Sequence, residues 1–274
     1  MKIQIETVRT ESFTTDYFKF GRGKETLVIL PGLSVQSVMN FADAVAEAYQ
    51  ILADNFTVYV FDRRKELPAY YPVEKMAQDT LKVLRALGLN RINLFGASQG
   101  GMIAMRMAIE EPELVQKLIL GSTSASVERA QYKTIETWIQ MARRGKKKEL
   151  CLAIGESLYP KDVFEKSREL LAEAAKSVTD ADLNRFVILA EGMKGFDTTI
   201  ELIKIACPVL VTGSLDDRVL GADATERIAG YLKKRTDFVF YMYDGYGHAA
   251  YDTAPGYKER ILRFLMSIPH GCEN

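Results

Sequence analysis

The segment Arg91-Ile-Asn-Leu-Phe-Gly-Ala-Ser-Gln-Gly-Gly101 joins a short, mostly apolar run to the pentapeptide Gly-Ala-Ser-Gln-Gly. The apolar run predicts a strand buried on both faces of a parallel sheet, and residues 99–110 have a helical composition. A serine at such a strand-to-helix turn lies in a strained backbone conformation, and glycines two positions before and after it remove collisions. Ser98 is therefore a candidate nucleophile, and the alternative is a glycine-rich turn with an incidental serine.

Strand and helix patterns alternate on both sides of this segment. Residues 2–9 and 13–20 each alternate apolar with polar side chains, which predicts an opening antiparallel hairpin. Further strands are predicted at 25–30, 56–62, 117–120, 207–213 and 238–243, and further helices at 37–53, 73–87, 222–234 and 255–267. This alternation indicates an α/β fold with a parallel sheet and crossover helices.

Residues 124–205 interrupt the alternation. They are rich in Glu, Lys, Ala and Leu, and apolar side chains recur at helical spacing, as at Ile135, Trp138 and Ile139. We predict three or four helices and no strand here. The chain is thus predicted to have an α/β core of residues 1–123 and 206–274, with residues 124–205 inserted as a helical cap over one edge of the sheet.

The composition limits the possible partners and compartments. The 36 basic and 36 acidic residues cancel, so we expect neither a nucleic-acid nor a membrane partner. Three widely spaced cysteines (Cys151, Cys207 and Cys272) form no metal-site or disulfide pattern, which favours a reducing compartment. The N-terminus lacks the apolar core of a signal peptide and no run is long enough to span a bilayer, so a cytoplasmic protein is expected. The oligomeric state is left open.

A serine hydroxyl needs a base to take its proton, and the chain has only two histidines. His248 lies in Asp244-Gly-Tyr-Gly-His248, a glycine-containing loop directly after a predicted strand. His270 follows the last predicted helix near the C-terminus, where a capping or exposed residue is the simpler interpretation. His248 is therefore the candidate general base.

The candidate acid that orients this imidazole lies in Gly213-Ser-Leu-Asp216-Asp217-Arg218, after the second-to-last predicted strand. Two adjacent acids compete for the role. We prefer Asp216, three residues after the glycine that ends the strand, since Asp217 can pair with Arg218 at the surface. A solvated turn is the structural alternative.

Two backbone amides are candidate donors to an oxyanion. The Gln99 N–H lies in the first turn of the helix after Ser98, where backbone donors lack intrahelical partners. The second is expected in the loop Pro31-Gly32-Leu33-Ser34, and the Leu33 N–H is our candidate.

In these motifs the chain resembles the α/β-hydrolase superfamily, in its capped, esterase-like serine-hydrolase branch. The order Ser98, Asp216, His248 on this strand pattern carries the resemblance, which implies a mostly parallel eight-stranded sheet flanked by helices with an all-helical cap. Ser98 argues against relatives that use an aspartate nucleophile, such as haloalkane dehalogenases and epoxide hydrolases. The chain departs from many relatives at Pro31-Gly32, where they carry His-Gly, and at residues 63–68, where they carry a glycine-containing turn.

The resemblance implies transfer of an acyl group to water, with no metal or organic cofactor. The expected substrate is a small or medium, mainly apolar molecule with a carboxylic ester or related acyl bond. An acyltransferase or C–C bond hydrolase with the same triad, and a non-catalytic ligand-binding protein, remain alternatives. Candidate substrate-pocket residues on the predicted cap are Trp138, Tyr132, Phe186 and Met193, although a cap helix must also bury an apolar face.

Overall fold

A computed structural model describes residues 2–267, so His270 and Cys272 lie outside the described residues. Residues 2–267 contain one sheet of eight strands. The strands are β1 (Ile5–Arg9), β2 (Thr14–Phe20), β3 (Glu25–Leu30), β4 (Phe56–Arg64), β5 (Ile92–Ala97), β6 (Val115–Gly121), β7 (Val209–Ser214) and β8 (Phe238–Tyr243).

The strand order across the sheet is β1-β2-β4-β3-β5-β6-β7-β8. β1 and β2 form the predicted antiparallel hairpin, β2 is also antiparallel to β4, and every other neighbouring pair is parallel. The predicted eight-stranded, mostly parallel sheet is therefore confirmed. In the centre of the sheet Gly96 lies beside Leu30 on one side and Leu120 on the other, so the loops after β3, β5 and β6 leave the sheet together.

The helices of residues 2–267 are α1 (Ala42–Ala48), α2 (Val73–Ala86), α3 (Gln99–Glu110), α4 (Arg129–Arg143), α5 (Lys147–Leu158), α6 (Lys161–Ala174), α7 (Asp180–Glu191), α8 (Ala222–Leu232), α9 (Ala250–Thr253) and α10 (Tyr257–Met266). None of them is both long and apolar enough to cross a bilayer. The prediction of one continuous helix over residues 37–53 is wrong. Phe41 and Tyr49 leave helical geometry, and short 3₁₀ turns flank α1. At the second break the buried Tyr49 ring packs against Phe95.

Both faces of the sheet are covered by apolar layers. Along β3, Val28 and Leu30 join the layer beneath α2, α3 and α8, while Leu27 and Ile29 join the layer beneath α1 and α10. All four side chains are buried. Continuous apolar runs are therefore found where the strand is covered on both sides, as is usual for parallel sheets.

Helices α4–α7 lie between β6 and β7 and contact the carboxyl ends of the strands. The Gln99 Nε2 donates a hydrogen bond to the Leu189 carbonyl at 2.7 Å, and the Ala249 N–H donates to the Leu158 carbonyl at 3.0 Å. Arg185 of α7 pairs with Asp62 in β4. These helices thus border the edge of the sheet where open α/β folds bind their ligands.

Two helical glycines provide a matched test of the close approach between α3 and β3. A Cβ at Gly100 would lie 2.0 Å from the Leu30 carbonyl oxygen, whereas a Cβ at Gly230 in α8 would have no heavy atom within 4 Å. Gly100→Ala should lower the free energy of unfolding by about 1–3 kcal/mol because backbone must move. Gly230→Ala should raise it by about 0.5–1 kcal/mol through helix propensity. Urea unfolding measures both, and a stabilised Gly100→Ala variant would contradict this packing.

Candidate active site

Ser98 occupies the junction between β5 and α3 in a backbone conformation that residues other than glycine rarely adopt. Its φ is 51° and its ψ is −121°. Two contacts from the loop at the end of β6 hold it: the Ser98 N–H donates to the Gly121 carbonyl at 2.9 Å, and the Thr123 hydroxyl donates to the Ser98 carbonyl at 2.6 Å. A non-glycine residue persists at positive φ when its surroundings over-determine it, which points to a function for this serine.

The glycines around Ser98 are required by close backbone approaches. A Cβ at Gly96 would lie 2.3 Å from the Gly100 carbonyl oxygen, and a Cβ at Gly101 would lie 2.6 Å from the Thr123 side chain. Any larger residue at these positions would push the turn away from its neighbours. The spacing seen in the sequence thus has a steric cause in the structure.

His248 reaches Ser98 from the loop that follows β8. Its Nε2 lies 2.9 Å from the Ser98 Oγ, and the imidazole is almost fully buried. Gly247, directly before it, has a φ of 66°, a left-handed conformation that lets the chain turn sharply toward the sheet. The sheet therefore brings together two side chains that are 150 residues apart in the sequence.

The carboxylate that contacts His248 is Asp217, so the preference for Asp216 as its partner is wrong. Asp217 Oδ2 lies 2.7 Å from His248 Nδ1, and both side chains are buried. The other oxygen, Oδ1, accepts hydrogen bonds from the Val219 N–H at 2.8 Å and the Leu220 N–H at 3.0 Å. This turn, in which an Asp side chain caps the backbone two and three residues ahead, orients the carboxylate toward the imidazole.

Asp216 has a different task. Its carboxylate accepts the Ser214 hydroxyl at 2.6 Å and the Gly247 N–H, which lies 3.0 Å from each oxygen. It thereby ties the end of β7 to the residue before His248. Burial acts to raise the pKa of Asp216, but these hydrogen bonds outweigh it and leave the pKa below its ordinary value.

The electrostatics of the Asp217–His248 pair define the tautomer of the imidazole. Burial alone would raise the pKa of Asp217, but the adjacent His248 and the Val219 and Leu220 amides lower it below its ordinary value. At neutral pH the carboxylate can therefore only accept, so His248 Nδ1 carries the proton. His248 Nε2 is then a free acceptor, and the Ser98 hydroxyl donates to it.

The two candidate oxyanion donors belong to segments that meet at Ser98, the first turn of α3 and the loop after β3. A Cβ at Gly32 would be 3.1 Å from Ser98 Cβ, so the loop after β3 passes directly against the serine. Within residues 2–267 neither the Leu33 N–H nor the Gln99 N–H has a hydrogen-bond acceptor. Both amides therefore stay candidate oxyanion donors, since neither is used by the backbone hydrogen bonds of the described residues.

Sequence analysis missed two polar contacts of the site. Thr123 supports the serine turn, and Arg63 donates to the Pro31 carbonyl at 2.8 Å. The position of Arg63 directly after a predicted buried strand could have indicated a polar contact, because a buried charged side chain needs a partner. Nothing local in the sequence marks Thr123, because its partner is 25 residues away.

The four candidate pocket residues belong to the packing between α4, α7 and the core. Trp138, Phe186 and Met193 are buried within the apolar layer on that side of the sheet, and Tyr132 is half-buried against it. The Lys194 ammonium lies 5.9 Å from the Tyr132 ring centre. Packing accounts for these positions, and a role in lining a substrate pocket stays a prediction.

Comparison with known proteins agrees with this geometry. The family model described as alpha/beta hydrolase fold matches residues 25–255, which is most of the chain. A relative named putative carbamate hydrolase RutD, from Caulobacter vibrioides, is 27% identical over 252 residues, which cover 89% of this chain and 91% of the relative.

Solved structures show the same fold at lower identity. An alpha/beta hydrolase enzyme, MGS-M2, from a Medee basin deep-sea metagenome library superimposes with a TM-score of 0.84 at 19% identity, covering 96% of this chain and 98% of that one. The enol-lactonase from Burkholderia xenovorans LB400 has a TM-score of 0.81 at 18% identity, covering 96% and 100%. At these identities the likeness shows the fold alone.

Substituting Asp217 by Asn should reverse the tautomer of His248. The Val219 and Leu220 amides would keep the amide oxygen of the new side chain, so its NH₂ group would face Nδ1 and the ring proton would move to Nε2. Nitrogen-15 NMR of histidine-labelled protein distinguishes the two tautomers, and His270→Gln removes the second histidine signal. Asp216→Asn serves as the control and should leave the wild-type tautomer. An unchanged tautomer in Asp217→Asn would contradict the assignment.

Proposed function

The chain belongs to the α/β-hydrolase fold family, and from this membership we propose that it is a serine hydrolase acting through an acyl-enzyme on Ser98. The bond cleaved is a carboxylic ester or a related acyl bond. The observation that carries the proposal is the continuous chain of contacts Asp217–His248–Ser98, at 2.7 and 2.9 Å, at a strained strand-to-helix turn. An acid, a base and a nucleophile in this order make a serine hydroxyl reactive.

In the first half of the reaction the Ser98 Oγ attacks the acyl carbon while its proton passes to His248 Nε2. The imidazolium that forms is stabilised by the buried Asp217 carboxylate, which keeps Nδ1 protonated and the ring in place. Negative charge develops on the former carbonyl oxygen, and the Leu33 and Gln99 amides bind it. His248 then gives its proton to the leaving group, and the acyl-enzyme remains.

In the second half a water molecule attacks the acyl-enzyme. His248 Nε2 takes a proton from the water as a general base, and the same two amides bind the second tetrahedral oxyanion. Collapse of this intermediate returns the proton to Ser98 and releases the acid. These reaction steps use only the side chains and backbone amides already described.

Besides esters, carbamates are a candidate class of substrate for this site. The relative named putative carbamate hydrolase RutD favours a carbamate as the second candidate substrate class, because it matches nearly the full length of this chain. A carbamate carbonyl is less electrophilic than that of an ester, so the same groups would act against a higher barrier. A panel of p-nitrophenyl acetate, phenyl carbamate and a small lactone distinguishes these classes by their kcat/KM values.

We propose further that residues 124–205 act as the cap over the substrate. This is supported by the hydrogen bonds from the site to Leu189 in α7 and Leu158 in α5. Substrate recognition would then reside in side chains of α4 and α7, with Trp138, Tyr132, Phe186 and Met193 as candidates. Substitution of Tyr132, which is only half-buried, tests recognition with the least damage to the fold.

Labelling with a fluorophosphonate probe tests the proposed nucleophile. The wild-type protein should form a stable adduct on Ser98, identified by peptide mass spectrometry, because the probe reacts with activated serines. Ser98→Ala and His248→Ala should both lose the adduct while keeping the far-ultraviolet circular dichroism of the wild type. Folded wild-type protein that resists the probe and hydrolyses none of the three substrates would refute the proposed function and favour a ligand-binding protein.

The two aspartates should differ sharply in turnover. Asp217→Asn is expected to lower kcat by about 10⁴-fold because it leaves the imidazole in the wrong tautomer. Asp216→Asn keeps that tautomer and should cause a much smaller loss, about tenfold or less, through a looser Gly247. Hydrolysis of p-nitrophenyl acetate measures both, and equal losses in the two variants would contradict the proposed division of roles.

A further inference from the structure

Arg63 connects the two backbone segments that carry the candidate oxyanion donors. It lies at the end of β4, and its Nη2 donates to the Pro31 carbonyl at 2.8 Å and to the Gln99 Oε1 at 3.2 Å. Pro31 begins the loop that contains Leu33, and Gln99 supplies the other amide. One nitrogen atom thus bridges the two sides of the site.

The Gln99 side chain is held at both of its ends. Its Oε1 accepts from Arg63, and its Nε2 donates to the Leu189 carbonyl at 2.7 Å. These two partners define which end of the amide is the acceptor, because a guanidinium only donates and a carbonyl only accepts. The residue that follows the nucleophile is therefore fixed between β4 and α7, with no exposure to solvent.

Arg63 itself is a buried cation whose side chain bonds only to neutral acceptors in the described part of the chain. The neighbouring Asp62 carboxylate bonds to Arg185 and Ser37, and from Arg63 it accepts only the backbone N–H, at 2.7 Å. Burial lowers the pKa of the Arg63 guanidinium to about 10, so it remains charged at neutral pH. A buried charge without a bonded counter-ion costs several kcal/mol, so stability alone is a poor reason for its presence.

Most of the Arg63 side chain is closed to solvent. Its Nε has no hydrogen-bond partner within residues 2–267 and is closed to solvent. A substrate group cannot reach that atom without displacing other parts of the protein. Within residues 2–267 the hydrogen bonds of the guanidinium go to Pro31 and Gln99, so its effect on the site is assigned to these two groups.

We propose that Arg63 is a positioning residue that sets the Leu33 and Gln99 amides in the relative orientation required to bind an oxyanion. The inference rests on the proposed function, in which negative charge develops on the former carbonyl oxygen and these amides bind it. Without the bridge, the loop after β3 and the first turn of α3 lose their shared anchor. The amides would then be displaced from the oxygen that they should bind, and a displacement of about 1 Å can cost about 100-fold in rate.

The test compares Arg63→Met, Arg63→Lys and the control Arg64→Met with the wild type. Arg64 is the adjacent, mostly buried arginine, and its Nε is likewise without a partner in the described residues. It bonds to Asp79 at 3.1 Å and, in the described residues, makes no hydrogen bond to Pro31 or Gln99. Arg64→Met therefore removes a comparable buried cation without touching Pro31 or Gln99, and urea unfolding shows how far the stabilities of the variants match.

With p-nitrophenyl acetate, Arg63→Met should lose about 10- to 100-fold in kcat with KM within about twofold, because the lost interactions act in the transition state. The Ki of a trifluoromethyl ketone, whose adduct carries an oxyanion, should rise by the same factor. Arg63→Lys should recover part of both losses, and Arg64→Met should retain wild-type values.

Two results would overturn the inference separately from the proposed function. If the wild type is labelled and active while Arg63→Met matches Arg64→Met in kcat and Ki, Arg63 is merely structural. If Arg63→Met is too unstable to assay, Arg63→Gln, which is shorter and uncharged, takes its place, and a wild-type kcat and Ki in that variant lead to the same conclusion. A wild type with neither labelling nor turnover refutes the proposed function itself, and this inference with it.

Discussion

The passage of the first turn of α3 over the end of β3 is the constraint on which the rest of the site depends. The Gly100 backbone lies so close to the Leu30 carbonyl that no Cβ fits between them, and Ser98 is forced to a φ of 51°. The loop at Gly32 passes against the same serine. A wider crossing would relax the serine and move Gln99 away from this loop, so the strain and the candidate oxyanion donors depend on one close approach.

Charge at the site is divided between groups with separate tasks. Asp217 contacts the imidazole, and its backbone hydrogen bonds leave one oxygen for Nδ1. Asp216 holds the Gly247 amide and never reaches the ring. Asp62 is occupied by Arg185, which leaves Arg63 with neutral partners near the place where a negative charge would develop. Such an arrangement favours a transition state with an oxyanion over a neutral ground state.

The site is assembled from both parts of the fold. The turns that follow β5, β7 and β8 supply Ser98, Asp217 and His248. The helices between β6 and β7 hold the Gln99 side chain through Leu189 and the loop after β8 through Leu158. Movement of these helices would therefore disturb Gln99 and the histidine loop directly.

Local patterns in the chain were enough to predict the sheet, the serine turn and the histidine loop. Apolar runs predict buried strands. Gly96 and Gly100 are required by close backbone approaches around the serine turn. The helix predicted at residues 37–53 failed where Tyr49 packs against Phe95, a residue distant in the chain. Choosing between Asp216 and Asp217 failed for the same reason: adjacent side chains at a turn point in different directions, and only contacts with β8 and its loop decide which one meets His248. The sequence alone determines the features that short-range sterics and periodicity dictate. The partners of Asp217, Gln99 and Arg63 depend on the tertiary structure, because they lie on segments that folding brings together.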